Sequence, residues 1–169
     1  VYHATSNKNS EKILQFGFDL DLSGQGTILA FKMRGDKIID DKFVMEKEEM
    51  LEHSVINTRR NYAECVGYGD NLLRMTLKSD IKLLDVKKIP TNLRGHGWRK
   101  IFSFAKANGC DGISSNGYIM IFGNKKIEKI EQVKNGDDEF DDFMDLFTAY
   151  NNKLDSYKNY KRSGFYTKL

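Results

Sequence analysis

The chain has 169 residues, of which 40% are hydrophobic and 30% are charged, as expected for one folded domain with at most a small appendage. Its 27 basic and 24 acidic residues give a net charge of +3, which is too balanced to predict nucleic-acid binding from charge alone. No apolar run is long enough to predict a transmembrane helix, and the two cysteines have no zinc-ligand spacing, so we interpret them as free thiols in a reducing compartment.

The first sixty residues predict strands alternating with short helices. Residues 2–4 are typical of a strand end, and Asn9 or Ser10 is a candidate cap for a helix over residues 11–16 that Gly17 ends. The glycines at 24 and 26 predict a turn before a strand at 27–31, which is rich in β-branched and apolar residues. Residues 33–42 are charged and predict a loop. Residues 43–60 are compatible with a weakly amphipathic helix.

The rest of the chain has clearer periodicity. Apolar residues at helical spacing predict a helix over residues 98–107, ended by Gly109, and Asp111 is expected to cap a turn. Aromatic and aliphatic residues between 140 and 154 predict an amphipathic helix of about four turns, followed by a basic, aromatic tail that is either a closing strand or a loose end. Strands are predicted at residues 72–77, 81–86, 112–114, 118–122 and 127–133. Short strands with a few helices, not in strict alternation, predict an α+β fold with a mixed or antiparallel sheet.

Three segments carry a family resemblance. They are Val-Tyr-His-Ala-Thr at residues 1–5, Ile-Leu-Gln-Phe-Gly-Phe at 13–18, and the run from Cys110 to Phe122 that ends Asn-Gly-Tyr-Ile-Met-Ile-Phe. Together they resemble the NAD-binding core of the diphtheria-toxin-like and poly(ADP-ribose)-polymerase-like ADP-ribosyltransferases. The resemblance implies a split, mixed β-sheet core with flanking helices over residues 1–133. Residues 134–169 are then a helical extension docked on the same domain.

The resemblance also implies roles in binding NAD as a substrate. His3 would hold a ribose hydroxyl on the adenosine side, the backbone of Ala4 would grip the nicotinamide amide, and Thr5 would supply a hydroxyl. The family strand that carries an aromatic against the nicotinamide has Ile28 here, within Gly-Gln-Gly-Thr-Ile-Leu-Ala. The second stacking aromatic would be Tyr62, with Tyr68 as the alternative.

The catalytic acid of the family does not appear at its usual place. The family acid directly precedes the aromatic of the last core strand, and that position is Gly117 in this chain. Asn116 can hydrogen-bond a hydroxyl but has no charge, and Glu64 is the carboxylate that could reach the site from elsewhere. No metal is implied.

These residues predict a mono-ADP-ribosyltransferase-like domain that transfers ADP-ribose to a protein or nucleic-acid acceptor, or hydrolyses NAD. Its expected setting is a bacterial or viral toxin or effector acting in a cell's cytoplasm, that of a host included, with no membrane partner. The alternative is an inactive domain of the same fold that serves as an interaction module, which the loss of the acid favours. A third interpretation is nucleic-acid binding by the basic tail around Lys158 and Lys161. The sequence does not indicate an oligomeric state.

Overall fold

The computed structural model describes residues 1–19, 32–34, 37–40, 43–46, 55–93 and 98–162. Within these ranges the chain forms ten strands in two sheets and three α-helices. The helices are α1 (Asn7–Phe16), α2 (Trp98–Ala107) and α3 (Asp138–Arg162). The strands are β1 (Tyr2–Thr5), β2 (Lys32–Arg34), β3 (Lys37–Asp40), β4 (Phe43–Glu46), β5 (Ile56–Arg59), β6 (Asn71–Leu77), β7 (Leu83–Asp85), β8 (Gly112–Ser114), β9 (Tyr118–Ile121) and β10 (Ile127–Gln132).

The large sheet has the strand order β10-β6-β1-β5-β9-β8-β7, and β2, β3 and β4 form a separate antiparallel sheet. Every pair in the large sheet is antiparallel except β7 with β8. The mixed sheet and its helices therefore agree with the predicted α+β class.

Side chains that alternate along the strands build a core on each face of this sheet. On one face Leu73 and Met75 of β6 pack with Ile13 of α1 and with Phe18. On the other face Leu72 packs with Phe143 of α3. Farther along the sheet, α2 contributes Phe102 and Ala105 to a third cluster with Ile113 of β8. Strand β1 therefore lies between α1 and α3.

Several sequence predictions are confirmed. Helix α2 covers the predicted residues, and strands β1, β6, β8, β9 and β10 match their predicted positions within one or two residues. Gly17 ends α1 with φ of 78°, and its N–H donates to the Ile13 carbonyl. The Asp111 carboxylate, which was expected to cap a local turn, instead accepts the N–H of the distant Lys82 at 2.9 Å.

Other predictions are wrong. Helix α1 begins at Asn7, because Ser6 is the capping position and Ser10 lies inside the helix with its hydroxyl bonded to the Asn7 carbonyl. Residues 33–60 include strands β2 to β5 rather than a loop and a helix. Their charged residues obscure the alternation typical of strands, and the strands form because they pair with neighbouring strands. The predicted turn at 23–26 and strand at 27–31 lie outside the described residues.

The strands predicted at residues 72–77 and 81–86 form as β6 and β7, but they do not pair with each other. Strand β7 instead pairs in parallel with β8 at the far edge of the sheet. The backbone of Asp111 reinforces this arrangement, because its N–H donates to the Lys82 carbonyl at 2.7 Å.

Helix α3 is longer than the four turns predicted and continues into the supposed tail as far as Arg162. No glycine or proline interrupts residues 138–162, and the next glycine is Gly164. Among the described residues, no helix combines the length and apolarity needed to cross a membrane.

A polar clamp holds the start of α3 to the sheet. The Tyr2 hydroxyl donates to Glu139 Oε1 at 2.8 Å, and the Arg74 guanidinium donates to both oxygens of the same carboxylate at 3.2 and 3.3 Å. Tyr62 donates to Asp142 Oδ2 at 3.0 Å. The hydrogen bond from Tyr2 is the main cause of a lowered pKa at Glu139, with Arg74 acting in the same direction.

We expect Glu139→Gln to lower the free energy of unfolding by about 1 kcal/mol, because Tyr2 and Arg74 lose a charged acceptor that is partly exposed to water. A lowered carboxyl pKa stabilises the fold above the unfolded value near 4.5, and this contribution is lost as the pH falls through the folded value. The difference between wild type and variant in urea unfolding should therefore shrink in acid. Asp145→Asn, at an exposed position on α3, is the control, and an equal loss in both variants would contradict the clamp.

Candidate ligand-binding site

A cavity of about 320 Å³ lies where strands β1 and β5 separate. The two strands share the single register pair Tyr2↔Arg59, whereas β1 continues along β6 for four pairs. Beyond that pair, none of the strands that the structure describes pairs with the β5 side of β1. The cavity between them is bounded by Thr5 and Ile56 from the strands, and by Ile13 and Phe18 from the chain around α1.

His3 bridges the gap between the separating strands. Its Nδ1 lies 2.8 Å from the Asn57 carbonyl oxygen, and a carbonyl can only accept, so Nδ1 carries the proton. The Phe18 ring meets the imidazole edge-on at 5.0 Å between centroids. Burial is the main cause of a lowered pKa at His3. The nearby Arg59 lowers this pKa further, whereas the hydrogen bond to Asn57 raises it. The ring is therefore neutral at pH 7, and its unprotonated Nε2 can accept a hydrogen bond from a hydroxyl.

Ala4 and Thr5 follow His3 along the cavity wall and are both buried. The Ala4 backbone also makes a hydrogen bond with Cys65, whose pKa is raised to about 12 mainly by burial, so this thiol is neutral at pH 7. The Ala4 backbone, which was predicted to bind the nicotinamide amide, is therefore already hydrogen-bonded to Cys65. On the Thr5 side, Gly69 approaches so closely that an added Cβ would overlap the Thr5 backbone.

Tyr68, rather than Tyr62, is the tyrosine that the structure brings to the cavity. Tyr62 lies edge-on against Tyr2 and donates to Asp142, so it belongs to the contact with α3. Tyr68 lines the cavity and is 62% exposed. Its hydroxyl accepts from Arg59 Nη2 at 3.1 Å, and the Arg59 guanidinium lies 5.3 Å from the centre of its ring. Tyr68 is thus an oriented ring with one side available to a ligand.

A smaller cavity of about 50 Å³ adjoins the first and is also bounded by His3 and Tyr68, together with Arg59 and Cys65. Arg59 extends the polar surface along the sheet, since its guanidinium also lies 5.7 Å from the centre of the Tyr118 ring. Arg59 pairs with Tyr118 in register across β5 and β9. This row of residues leads from the cavity towards the turn that contains Gly117.

Glu64 and Gly117 are in contact. Glu64 belongs to a 3₁₀ helix, Tyr62–Cys65, whose first turn is capped by Asn61 accepting the Ala63 N–H at 2.9 Å. Its Oε2 lies 2.8 Å from the point where a Cβ on residue 117 would stand. The missing side chain at Gly117 therefore leaves the space that the Glu64 carboxylate occupies.

Arg60 fastens this contact to the turn between β8 and β9. Its backbone N–H donates to the Gly117 carbonyl at 3.1 Å, and its guanidinium donates to Ser114 Oγ at 2.6 Å. Asn116 lies exposed in the same turn. Of the residues predicted from the sequence, the structure brings together His3, Ala4 and Thr5 at the cavity, and Glu64, Asn116 and Gly117 at the turn. Ile28 lies outside the described residues.

Sequence reasoning missed several residues of this site. Phe18, Asn57 and Arg59 orient His3 and Tyr68. Phe18 ends the segment 13–18 but was given no role there, and Asn57 and Arg59 belong to no recognisable motif. The Gly-Tyr-Gly run at residues 67–69 was an available signal, because an aromatic between two glycines is typical of a tight turn that presents its ring. In the part of the chain that the structure describes, no group of three or more His, Cys, Asp or Glu side chains is arranged to hold a metal ion.

The lowered pKa of His3 predicts a pH dependence of stability. A group whose folded pKa lies below its unfolded value near 6.5 stabilises the fold above that value, and the contribution is lost as the pH falls through the folded pKa. Wild type should therefore lose more unfolding free energy between pH 7.5 and pH 5 than His3→Gln, which has no ring to protonate. Urea unfolding at both pH values measures this, and the other two histidines are present in both proteins, so any contribution from them cancels. Parallel losses would show that His3 is not held neutral.

The approach of Gly69 to Thr5 gives a second prediction. Gly69→Ala should lower the free energy of unfolding by about 2 kcal/mol or more, since the backbone must move to admit a methyl group. Gly123→Ala is a matched control, because Gly123 has φ of 159° against 157° at Gly69 and no atom within 4 Å of an added Cβ. Thermal unfolding compares them. Equal effects would mean that backbone conformation rather than the Thr5 contact requires glycine at residue 69.

No family model, no curated protein and no solved structure matches this chain. The candidate site comprises a cavity between separating strands, a neutral histidine, an oriented tyrosine ring, and a carboxylate that contacts a glycine in the turn between β8 and β9.

Proposed function

We propose that this domain binds NAD and breaks its nicotinamide–ribose bond, passing ADP-ribose to a macromolecular acceptor or to water. The proposal begins from the sequence resemblance of residues 1–18 and 110–122. It is supported by the separation of β1 and β5, which opens a cavity beside the residues of the Tyr-His-Ala-Thr motif. A neutral His3 supports it further, because Nε2 of such a ring accepts a hydrogen bond from a ribose hydroxyl.

The contact between Glu64 and Gly117 is the observation that favours catalysis over NAD binding alone. When nicotinamide leaves with the electron pair of the broken bond, positive charge develops on the ribose carbon. A preorganised carboxylate stabilises that charge, and one such interaction is worth roughly 3 kcal/mol in a transition state. Glu64 supplies a carboxylate at the place where the chain has a glycine in the position of the expected acid.

The remaining step is attack on the ribose carbon. The acceptor, either a nucleophilic side chain, a nucleic-acid group or water, forms the new bond to that carbon and gives its proton to solvent or to a base. Glu64 and Asn116 are both exposed at the turn, so an acceptor can approach from solvent. The same exposure accommodates hydrolysis when no acceptor is bound.

Removing the carboxylate tests the assignment. Glu64→Gln should reduce nicotinamide release under saturating NAD by at least about tenfold, since each 1.36 kcal/mol of lost stabilisation is tenfold in rate. NAD affinity should change little, because the charge acts in the transition state. Glu128→Gln, at an exposed position on β10, is the control and should leave the rate unchanged.

Moving the carboxylate back to residue 117 is the complementary test. Gly117 is not among the glycines with positive φ, so its backbone accepts a side chain, and Glu64→Ala removes the group that would collide with it. Glu64→Ala with Gly117→Glu should therefore recover part of the rate that Glu64→Ala alone loses. Gly117→Glu alone should not raise the rate above that of wild type, because it places a second carboxylate against Glu64.

These measurements also separate the proposed enzyme from an interaction module of the same fold. Wild type that binds NAD in calorimetry but releases no nicotinamide would exclude the transferase and leave the binding module. Wild type that neither binds nor cleaves NAD would refute the proposal as a whole.

A further inference from the structure

We propose that Lys12 binds a phosphate group of the ligand, so that this cavity selects phosphorylated nucleotides over the uncharged nucleosides contained in them. This inference rests on the proposed function, since it names which part of NAD one wall of the cavity recognises.

The wall in question is one face of α1. Asn9, Lys12 and Ile13 all line the cavity, and their spacing of three and four residues places them on one side of the helix. Ile13 is buried, whereas Lys12 is exposed. The aliphatic stem of Lys12 therefore lies along the cavity while its ammonium group stays near water at the rim.

Among the described residues, no carboxylate forms an ion pair with the Lys12 ammonium group. Its neighbour in the helix, Glu11, accepts a hydrogen bond from the Asn7 amide at 3.4 Å. Asp19 is the carboxylate on the same cavity. A lysine ammonium has three donors and no acceptor, so its natural complement in a ligand is an anionic oxygen.

Much of the rest of the cavity is apolar or aromatic, and this restricts the class of ligand that fits it. Ile13, Phe18 and Ile56 form an apolar floor, and Tyr68 presents an aromatic ring. His3 offers a neutral acceptor for a hydroxyl. A cation at the rim, an acceptor inside and an aromatic wall together match a planar ring joined to a sugar phosphate.

Lys8 provides a matched control for Lys12. It lies one turn earlier on α1, is also exposed, and does not line the cavity. Lys8→Gln and Lys12→Gln therefore remove the same charge from the same helix. A difference between the two variants reports a local contact rather than the general field of the protein.

The experiment is calorimetric titration of wild type, Lys8→Gln and Lys12→Gln with NAD, ADP-ribose and adenosine at 50 and 300 mM salt. Lys12→Gln should weaken NAD and ADP-ribose about tenfold at low salt, as expected for the loss of a hydrogen bond to a charged group, and should leave adenosine unchanged. The effect should shrink at high salt, because a rim charge is screened. Lys8→Gln should match wild type.

Three outcomes would overturn the assignment of Lys12. Equal NAD affinity in wild type and Lys12→Gln refutes it while leaving the proposed function intact, and so does an equal loss in both variants. A Lys12-dependent affinity for ADP-ribose without any affinity for NAD would keep the phosphate site and refute the proposed function. Absence of binding by all three ligands would refute both.

Discussion

The site depends on the early separation of two neighbouring strands. After the single pair Tyr2↔Arg59, β1 stays with β6 and leaves β5, and the ladder of backbone hydrogen bonds between them stops. His3 on β1 donates from Nδ1 to the Asn57 carbonyl on β5 at 2.8 Å. This bond therefore links the two strands beyond the point where their backbone pairing ends. It also selects the tautomer of His3, so that the fold and the chemistry of the cavity share one interaction.

The sequence predicted those parts of the structure that local patterns encode. Helix α2 was predictable because its apolar residues recur at helical spacing and Gly109 follows, and the motif at residues 2–5 correctly drew attention to β1. Strands β2 to β4 were not predictable in this way, because they are short and charged and owe their conformation to pairing with one another. The partner of β7 was also hidden, since a parallel neighbour from a distant segment leaves no local signal.

The candidate site shows the same division. His3 was found because it lies in a motif, whereas the choice between Tyr62 and Tyr68 required the position of α3. Both tyrosines lie near β1, but Asp142 engages Tyr62, and Arg59 orients Tyr68 towards the cavity. The contact between Glu64 and Gly117 likewise depends on the tertiary structure. Residues 64 and 117 are far apart in the chain and carry no common pattern, and only the turn held by Arg60 brings them into contact.

The position of β1 in the sheet has a consequence for how the protein is made. Strand β1 lies at the beginning of the sequence, yet its neighbours in space come from residues 56–59 and 71–77, and Tyr2 bonds to Glu139. Such distant partners make for slow folding, because long loops must close before any contact is gained. During synthesis β1 leaves the ribosome before the segments that pair with it, β5 and β6, have been made. A nascent chain would therefore expose an unpaired strand until those segments follow, which is a condition that favours chaperone binding.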